Sequence, residues 1–188
     1  KSMCQLHTYL NENNLNVPKI ILNNYNKLYT SNNNSYIIVY SFLKGSSISN
    51  CWDNEKIYKQ VAKEIRKLHD VTSNNNTFNL KKVPFEVDNS ITRYSTLHFD
   101  LTKGNIFYNK DKIEFIDFDD AKYGASVVDV AITIALLFIT KKNGLDKKAM
   151  KIFIDEYETL QEYQQKIVNT LIKHSTLPVV FNIGMRPK

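Results

Sequence analysis

One segment constrains this chain more than any other: residues 97–121, LHFDLTKGNIFYNKDKIEFIDFDDA. Ile106, Phe107 and Tyr108 predict a short strand, Asn109 to Lys112 a tight polar turn, and Ile113 to Asp117 the returning strand. A hairpin of that length brings His98, Asp100 and Asn105, on its entering side, to the same end as Asp117 and Asp119 on its leaving side. Carboxylates gathered so closely repel, so the segment calls for a divalent cation or for a raised pKa.

The remaining numbers bound the class. With 188 residues, 43% hydrophobic and 12% aromatic, the chain suffices for one sizeable core with a small appended lobe, which excludes disordered and fibrous classes. Its 25 basic and 19 acidic residues leave a net charge of +6. That charge is spread along the chain, and no basic run interleaves with stacking aromatics, so nothing points to nucleic acid. A positive balance suits an anionic nucleotide, although scattered lysines are ordinarily solvated surface. Cys4 and Cys51 lack C-x-x-C spacing, which indicates neither a zinc site nor a disulfide framework and fits a reduced cytoplasm. The longest apolar run, 127–139, is interrupted by Asp129 and is too short for a membrane span. The oligomeric state is not legible.

Taken in order, the chain opens in a helical pattern, with Met3, Leu6 and Leu10 recurring at spacings of three and four. Val17-Pro18 leads into an extended piece, 19–22, and 27–30 predicts a second short strand. The asparagine-rich stretch 31–35 reads as a loop, and Tyr36 to Phe42 as a strand rich in β-branched and aromatic residues. Ile57, Val61, Ile65 and Leu68 share one face of an amphipathic helix over 53–69. Its closing His69 reads as a structural or helix-dipole contact. Residues 91–97 suggest a strand delivering the central segment. After it, 122–126 reads as a loop containing Gly124, and 127–140 as an almost wholly apolar, hence buried, helix. Asp129 near its start reads as held by free N–H groups and the helix dipole. Lys141 to Gly144 reads as a helix stop, succeeded by amphipathic segments marked by Met150, Phe153, Ile154 and Tyr157, then by Tyr163, Ile167, Val168, Leu171 and Ile172.

The pattern H-x-D-x-x-x-x-N at 98–105, with I-D-F-D after it at 116–119, resembles the catalytic and metal-binding loops of the aminoglycoside phosphotransferase and choline kinase family, relatives of protein kinases. The resemblance implies an α+β, protein-kinase-like two-lobe fold. Residues 1–44 would form the back half of a β-rich nucleotide lobe with its hinge, and 45–188 a mostly helical catalytic lobe. It further implies that the glycine-rich phosphate loop, the phosphate-pairing lysine and its partner Glu lie upstream of Lys1. Asp100 would be the base that takes the acceptor's hydroxyl proton, and Asn105 and Asp117 would ligate magnesium on ATP. Ser41 and Leu43 would offer backbone groups to adenine, just before Gly45. His98 would stand beside the base, holding the loop or moving protons. Asp129, in the matching V-D-V-A, would brace the catalytic loop. Asp119 would be a second contact of the site or a solvated acid, and Lys103 a γ-phosphate contact or an ordinary loop lysine. Phe99 replaces the protein-kinase Arg and Asp119 the glycine after the metal motif, which steers the resemblance toward small-molecule acceptors.

Three functions therefore compete. One is an ATP- and magnesium-dependent kinase acting on a hydroxyl of a small molecule such as an aminoglycoside, choline or homoserine. Another is a catalytically incompetent lobe that binds nucleotide or a partner. The last is a metal-dependent phosphohydrolase using the same acids. Glu156, Glu158 and Glu162 could greet a cationic acceptor, or merely form a solvated helix face.

Overall fold

The predicted hairpin exists. In the computed structural model, which describes residues 2–33, 35–83, 93–140 and 143–157, the strands numbered β7 (Ile106–Asn109) and β8 (Lys112–Phe115) pair antiparallel with Ile106 opposite Phe115 and Asn109 opposite Lys112. Two residues turn the chain, Lys110 at φ 44° and Asp111 at φ 69°. Positive φ at both positions is what a two-residue turn needs to match the twist of its strands.

The elements before it are α1 (Ser2–Glu12), β1 (Ile20–Ile21), β2 (Thr30–Asn32), β3 (Ser35–Ile37), β4 (Val39–Tyr40), β5 (Ser46–Ser47), a 3-10 turn at Ile48–Asn50, α2 (Glu55–Val71) and β6 (Tyr94–Leu97). Those after it are β9 (Lys122–Ala125), α3 (Ser126–Phe138), β10 (Ile139–Thr140), β11 (Gly144–Leu145) and α4 (Lys147–Tyr157). Short antiparallel sheets joined to helices make this an α+β fold. The sheets are β1 with β4, β2 with β3, β6 with β9, β10 with β11, and β5–β7–β8.

One hydrophobic cluster runs from Leu6 of α1 to Tyr157 of α4. Ile57, Val61, Ile65 and Leu68 of α2 are buried in it, each contributing about 1.5–3 kcal/mol on burial. Asn54 caps that helix, its side chain accepting the Lys56 N–H at 2.9 Å. The first helix is fastened to the larger body. Tyr9 donates to the Val71 carbonyl at 2.8 Å, Glu64 accepts the Asn16 N–H at 2.9 Å, and the Asn16 carbonyl accepts from Phe115 of β8 at 3.0 Å. The strands between α1 and the hinge are by contrast exposed, including Tyr36, Ile37 and Val39.

Several expected boundaries move. The strand read over 36–42 is two short pieces, β3 and β4, separated at Ile38. The presumed loop 31–35 is the tip of the β2–β3 hairpin, with Asn33 at φ 52°. The strand placed at 27–30 begins at Thr30, because the Asn23 side chain accepts the N–H groups of Tyr25 and Lys27 and folds that stretch into a turn. The loop read at 122–126 is β9. Gly124 serves close packing there, since a Cβ on it would lie 2.9 Å from Val83. Helix α3 stops at Phe138 and passes into the β10–β11 hairpin, where Gly144 takes φ 66°. Lys141 and Lys142, Glu158, Glu162 and the segment at 163–172 lie outside the described residues.

Gly45 tests the hinge packing. A Cβ at this position would meet the Tyr108 carbonyl oxygen at 2.7 Å, where β5 starts to pair with β7. Gly45→Ala is expected to destabilise the protein by about 1–3 kcal/mol, read as a lowered urea midpoint. An unchanged midpoint would show that β5 yields freely.

Candidate active site

The loop between β6 and β7 is held by a buried carboxylate from α3. That helix starts directly after β9, whose last residue Ala125 pairs with Tyr94 at the start of β6, and Asp129 in its first turn reaches the residues that follow the strand. There the Asp129 carboxylate accepts the backbone N–H of His98 (Oδ2, 2.9 Å) and of Phe99 (Oδ1, 2.9 Å), and meets His69 Nε2 at 3.1 Å. Asp129 and His69 are completely buried. The other ring nitrogen, Nδ1, lies 2.7 Å from the Tyr157 hydroxyl, so both nitrogens of the buried ring are engaged. Burial alone would raise the Asp129 pKa, but the His69 hydrogen bond and charge and the Phe99 N–H hold it below the usual carboxylate range. Of the two readings open to Asp129, loop brace is the one the geometry matches, and His69 is its structural support.

Phe99 sits at φ 71°, a left-handed conformation that costs a bulky residue about 1–3 kcal/mol and persists where neighbours hold it. The paired N–H bonds to Asp129 do so. His98, before the reversal, is completely buried; its Nε2 lies 2.9 Å from the Ile116 carbonyl and its Nδ1 accepts the Asp100 N–H at 3.4 Å. Burial lowers its pKa. With both nitrogens engaged inside the loop, His98 is placed to hold Asp100 and the strand end together.

Asp100, after the reversal, is partly exposed. Asn105 Nδ2 donates to its backbone carbonyl at 2.9 Å and its carboxylate Oδ2 at 3.0 Å. Among the described residues the Asn105 amide oxygen has no partner, which leaves it open to a cation. The Ile116 N–H donates to the Asn105 carbonyl at 3.0 Å, tying the two ends of the hairpin. Asp117 comes next, exposed and again at positive φ, 62°. Burial first, then the charges of Asp117 and Asp120, push the Asp100 carboxyl up, and the same causes act on Asp119. The repulsion expected from the spacing is thus present.

Among the described residues no three His, Cys, Asp or Glu side chains form a metal cage. The donor set fits a hard cation that takes its other oxygens from phosphate and water, as magnesium does: a carboxylate, Asp117, and an amide oxygen, Asn105, beside uncompensated negative charge.

A cavity of about 530 Å³ lies between this end of the hairpin and residues 40–45. Ser41, Leu43 and Gly45 line one side, Asp117, Phe118 and Asp119 the other, and His7 and Tyr40 also border it. The volume suits a drug-sized ligand. Ser41 spends its N–H on the Lys19 carbonyl (2.7 Å) and its hydroxyl on the Lys19 N–H (2.9 Å). Among the described residues the Ser41 carbonyl and the Leu43 N–H remain without partners, an acceptor and a donor two residues apart. Behind them the rings of Tyr40, His7, Phe118 and His98 succeed one another at 4.8, 5.3 and 4.4 Å, linking hinge to loop.

Sequence reading passed over His7, Tyr40 and Asp120. Asp120 was visible as the last acid of the D-F-D-D run. Nothing in the local pattern marks His7, which occupies an ordinary core position of α1; only the fold sets its ring against Phe118.

The model of the ORC-CDC6-like family matches residues 16–188. The chain belongs to the ORC-CDC6-like family. This is not the family that the loop motif resembles, so the resemblance to phosphotransferases is corrected at the level of family and holds at the level of fold. No curated protein matches in sequence. Among solved structures, an amicoumacin kinase in complex with AMP-PNP, Ca2+ and its antibiotic aligns at 14% identity and TM-score 0.66, covering 92% of this chain and 75% of that one. A spectinomycin phosphotransferase with ADP and spectinomycin aligns at 15% identity and TM-score 0.67, covering 98% and 74%. The ethanolamine kinase of Plasmodium vivax aligns at 18% identity and TM-score 0.59, covering 90% and 60%. These likenesses show a protein-kinase-like fold, with mixed small sheets and helices. Among the described residues no helix is long and apolar enough to cross a membrane.

Two outcomes test this arrangement. Asp129→Asn weakens a buried, triply bonded carboxylate and is expected to lower stability by about 3 kcal/mol, measured by urea unfolding at pH 7; a loss near zero would remove Asp129 as the brace. His7 is held by burial at a pKa of about 4 instead of 6.5. The unfolded chain therefore takes up a proton below pH 6.5 that the folded chain refuses until about 4, and stability falls as pH drops through that window. His7→Phe is expected to flatten that slope, and an unaltered slope would assign it elsewhere.

Proposed function

We propose that this chain is an ATP- and magnesium-dependent phosphotransferase that phosphorylates a hydroxyl of a small molecule, of the aminoglycoside, choline or homoserine kind. The observation that carries the reading is the cavity lined by Ser41 and Leu43, whose carbonyl and N–H have no partner among the described residues, together with Asp117. The structural neighbours support it, being small-molecule kinases by name, two of them with adenine nucleotides. In this reading 1–44 is the back of the nucleotide lobe and 45–188 the catalytic lobe. The two isolated cysteines favour the cytoplasm.

The Ser41 carbonyl and Leu43 N–H take the adenine edge. Asn105 and Asp117 would hold magnesium, which when bound neutralises charge on the β- and γ-phosphates. Asp100 orients the acceptor hydroxyl and takes its proton at a carboxylate oxygen as the phosphoryl group transfers. The Asn105 amide fixes that carboxylate, while His98 and Asp129 hold the backbone beneath it. Position and charge supply most of the rate in such transfers.

Asp100→Asn is expected to leave calorimetric Mg-ATP binding within about threefold while turnover falls about 100-fold or more. Full turnover would overturn the base assignment. Asp117→Ala is expected to weaken nucleotide binding in magnesium but not in its absence. ATP bound without transfer to any alcohol across a broad acceptor panel would favour a binding module, and phosphate release without an acceptor a hydrolase.

A further inference from the structure

Lys103 stands three residues after Asp100 and two before Asn105, in a loop tightened by hydrogen bonds from the Thr102 N–H to the Asp100 carbonyl (2.9 Å) and from the Asn105 N–H to the Thr102 carbonyl (3.0 Å). Its own carbonyl is pinned by the Ser47 hydroxyl at 2.7 Å. The backbone is therefore fixed, while the side chain retains a flexible four-carbon stem. The ammonium lies over the Trp52 ring, 4.9 Å from its centroid. Trp52 is a rigid platform: it packs against Tyr58 at 4.8 Å and Phe138 at 5.2 Å, and these two rings meet at 5.5 Å. Among the described residues Lys103 makes no ion pair. The ring face thus holds a cation that no carboxylate among the described residues pairs with directly.

We propose that Lys103 is a phosphate-positioning residue parked on Trp52, which leaves the ring and meets the terminal phosphate when a nucleoside triphosphate enters the cavity. A ring face holds an ammonium less strongly than charged phosphate oxygens do, so the side chain transfers once such oxygens arrive beside Asp100 and Asn105. Asp100, Asp117, Asp119 and Asp120 make this end of the hairpin strongly negative, and Lys103 is the positive charge of the loop that carries Asp100 and Asn105. This inference rests on the proposed nucleotide site and adds a residue to it.

Trp52 is the sole tryptophan of the chain, so its emission reports the contact directly. In the whole chain, Mg-AMP-PNP is expected to shift Trp52 emission while Mg-ADP leaves it unchanged, with calorimetry showing that both bind. Lys103→Met should begin at the shifted emission, respond to neither nucleotide, bind Mg-ADP within about threefold of the parent, and lose about 10- to 100-fold in turnover. Lys103→Arg should restore the response to AMP-PNP. Equal shifts with ADP and AMP-PNP, or a full response in Lys103→Met, would overturn the proposal. Absence of calorimetric binding of either nucleotide would instead overturn the nucleotide reading beneath it.

Discussion

The site depends on one buried carboxylate. Asp129 occupies the first turn of α3, the most apolar of the described helices, where a lone charge would be strongly destabilising. It is tolerated because His69 and two backbone N–H groups surround it. The same bonds hold Phe99 at positive φ, and that reversal leaves His98 buried while Asp100 reaches the surface. A requirement of the core, that the charge be satisfied, thus fixes the geometry of the loop.

The same end of the hairpin carries a second balance. Asp100, Asp117, Asp119 and Asp120 crowd together, and burial first, then the neighbouring charges, pushes up the carboxyls of Asp100 and Asp119. Among the described residues the nearby lysine of the loop makes no ion pair with them and rests on an aromatic ring instead. An arrangement of crowded acids beside an open cavity favours a bound cation with its own anionic partner. Magnesium on a nucleotide meets that description.

The ORC-CDC6-like assignment and the phosphotransferase-like fold describe different levels. A family model records which sequences group together, whereas the fold records how the chain packs. At 14–15% identity to the antibiotic kinases, the residues that persist are few. A fold hosts many activities, so phosphoryl transfer is inferred from the residues of the site.

Much of the hairpin was legible, because strand alternation and turn formers are local signals. So was α2, whose apolar spacing leaves little choice. The strand at Gly124 was misread because glycine signals a turn locally, and only the approach of Val83 shows why a side chain is excluded. The same limit applies to the N-terminal strands, where Tyr36 to Phe42 has the composition of one strand and forms two. By itself the sequence determined the central hairpin, the gathering of acids at one end of it and the amphipathic helix α2. Tertiary structure alone decided that Asp129 braces the loop, that His98 is saturated by its neighbours, that His7 reaches Phe118, and that Lys103 lies on Trp52. Each of these joins residues distant in sequence, and periodicity carries no information about which distant surfaces will meet.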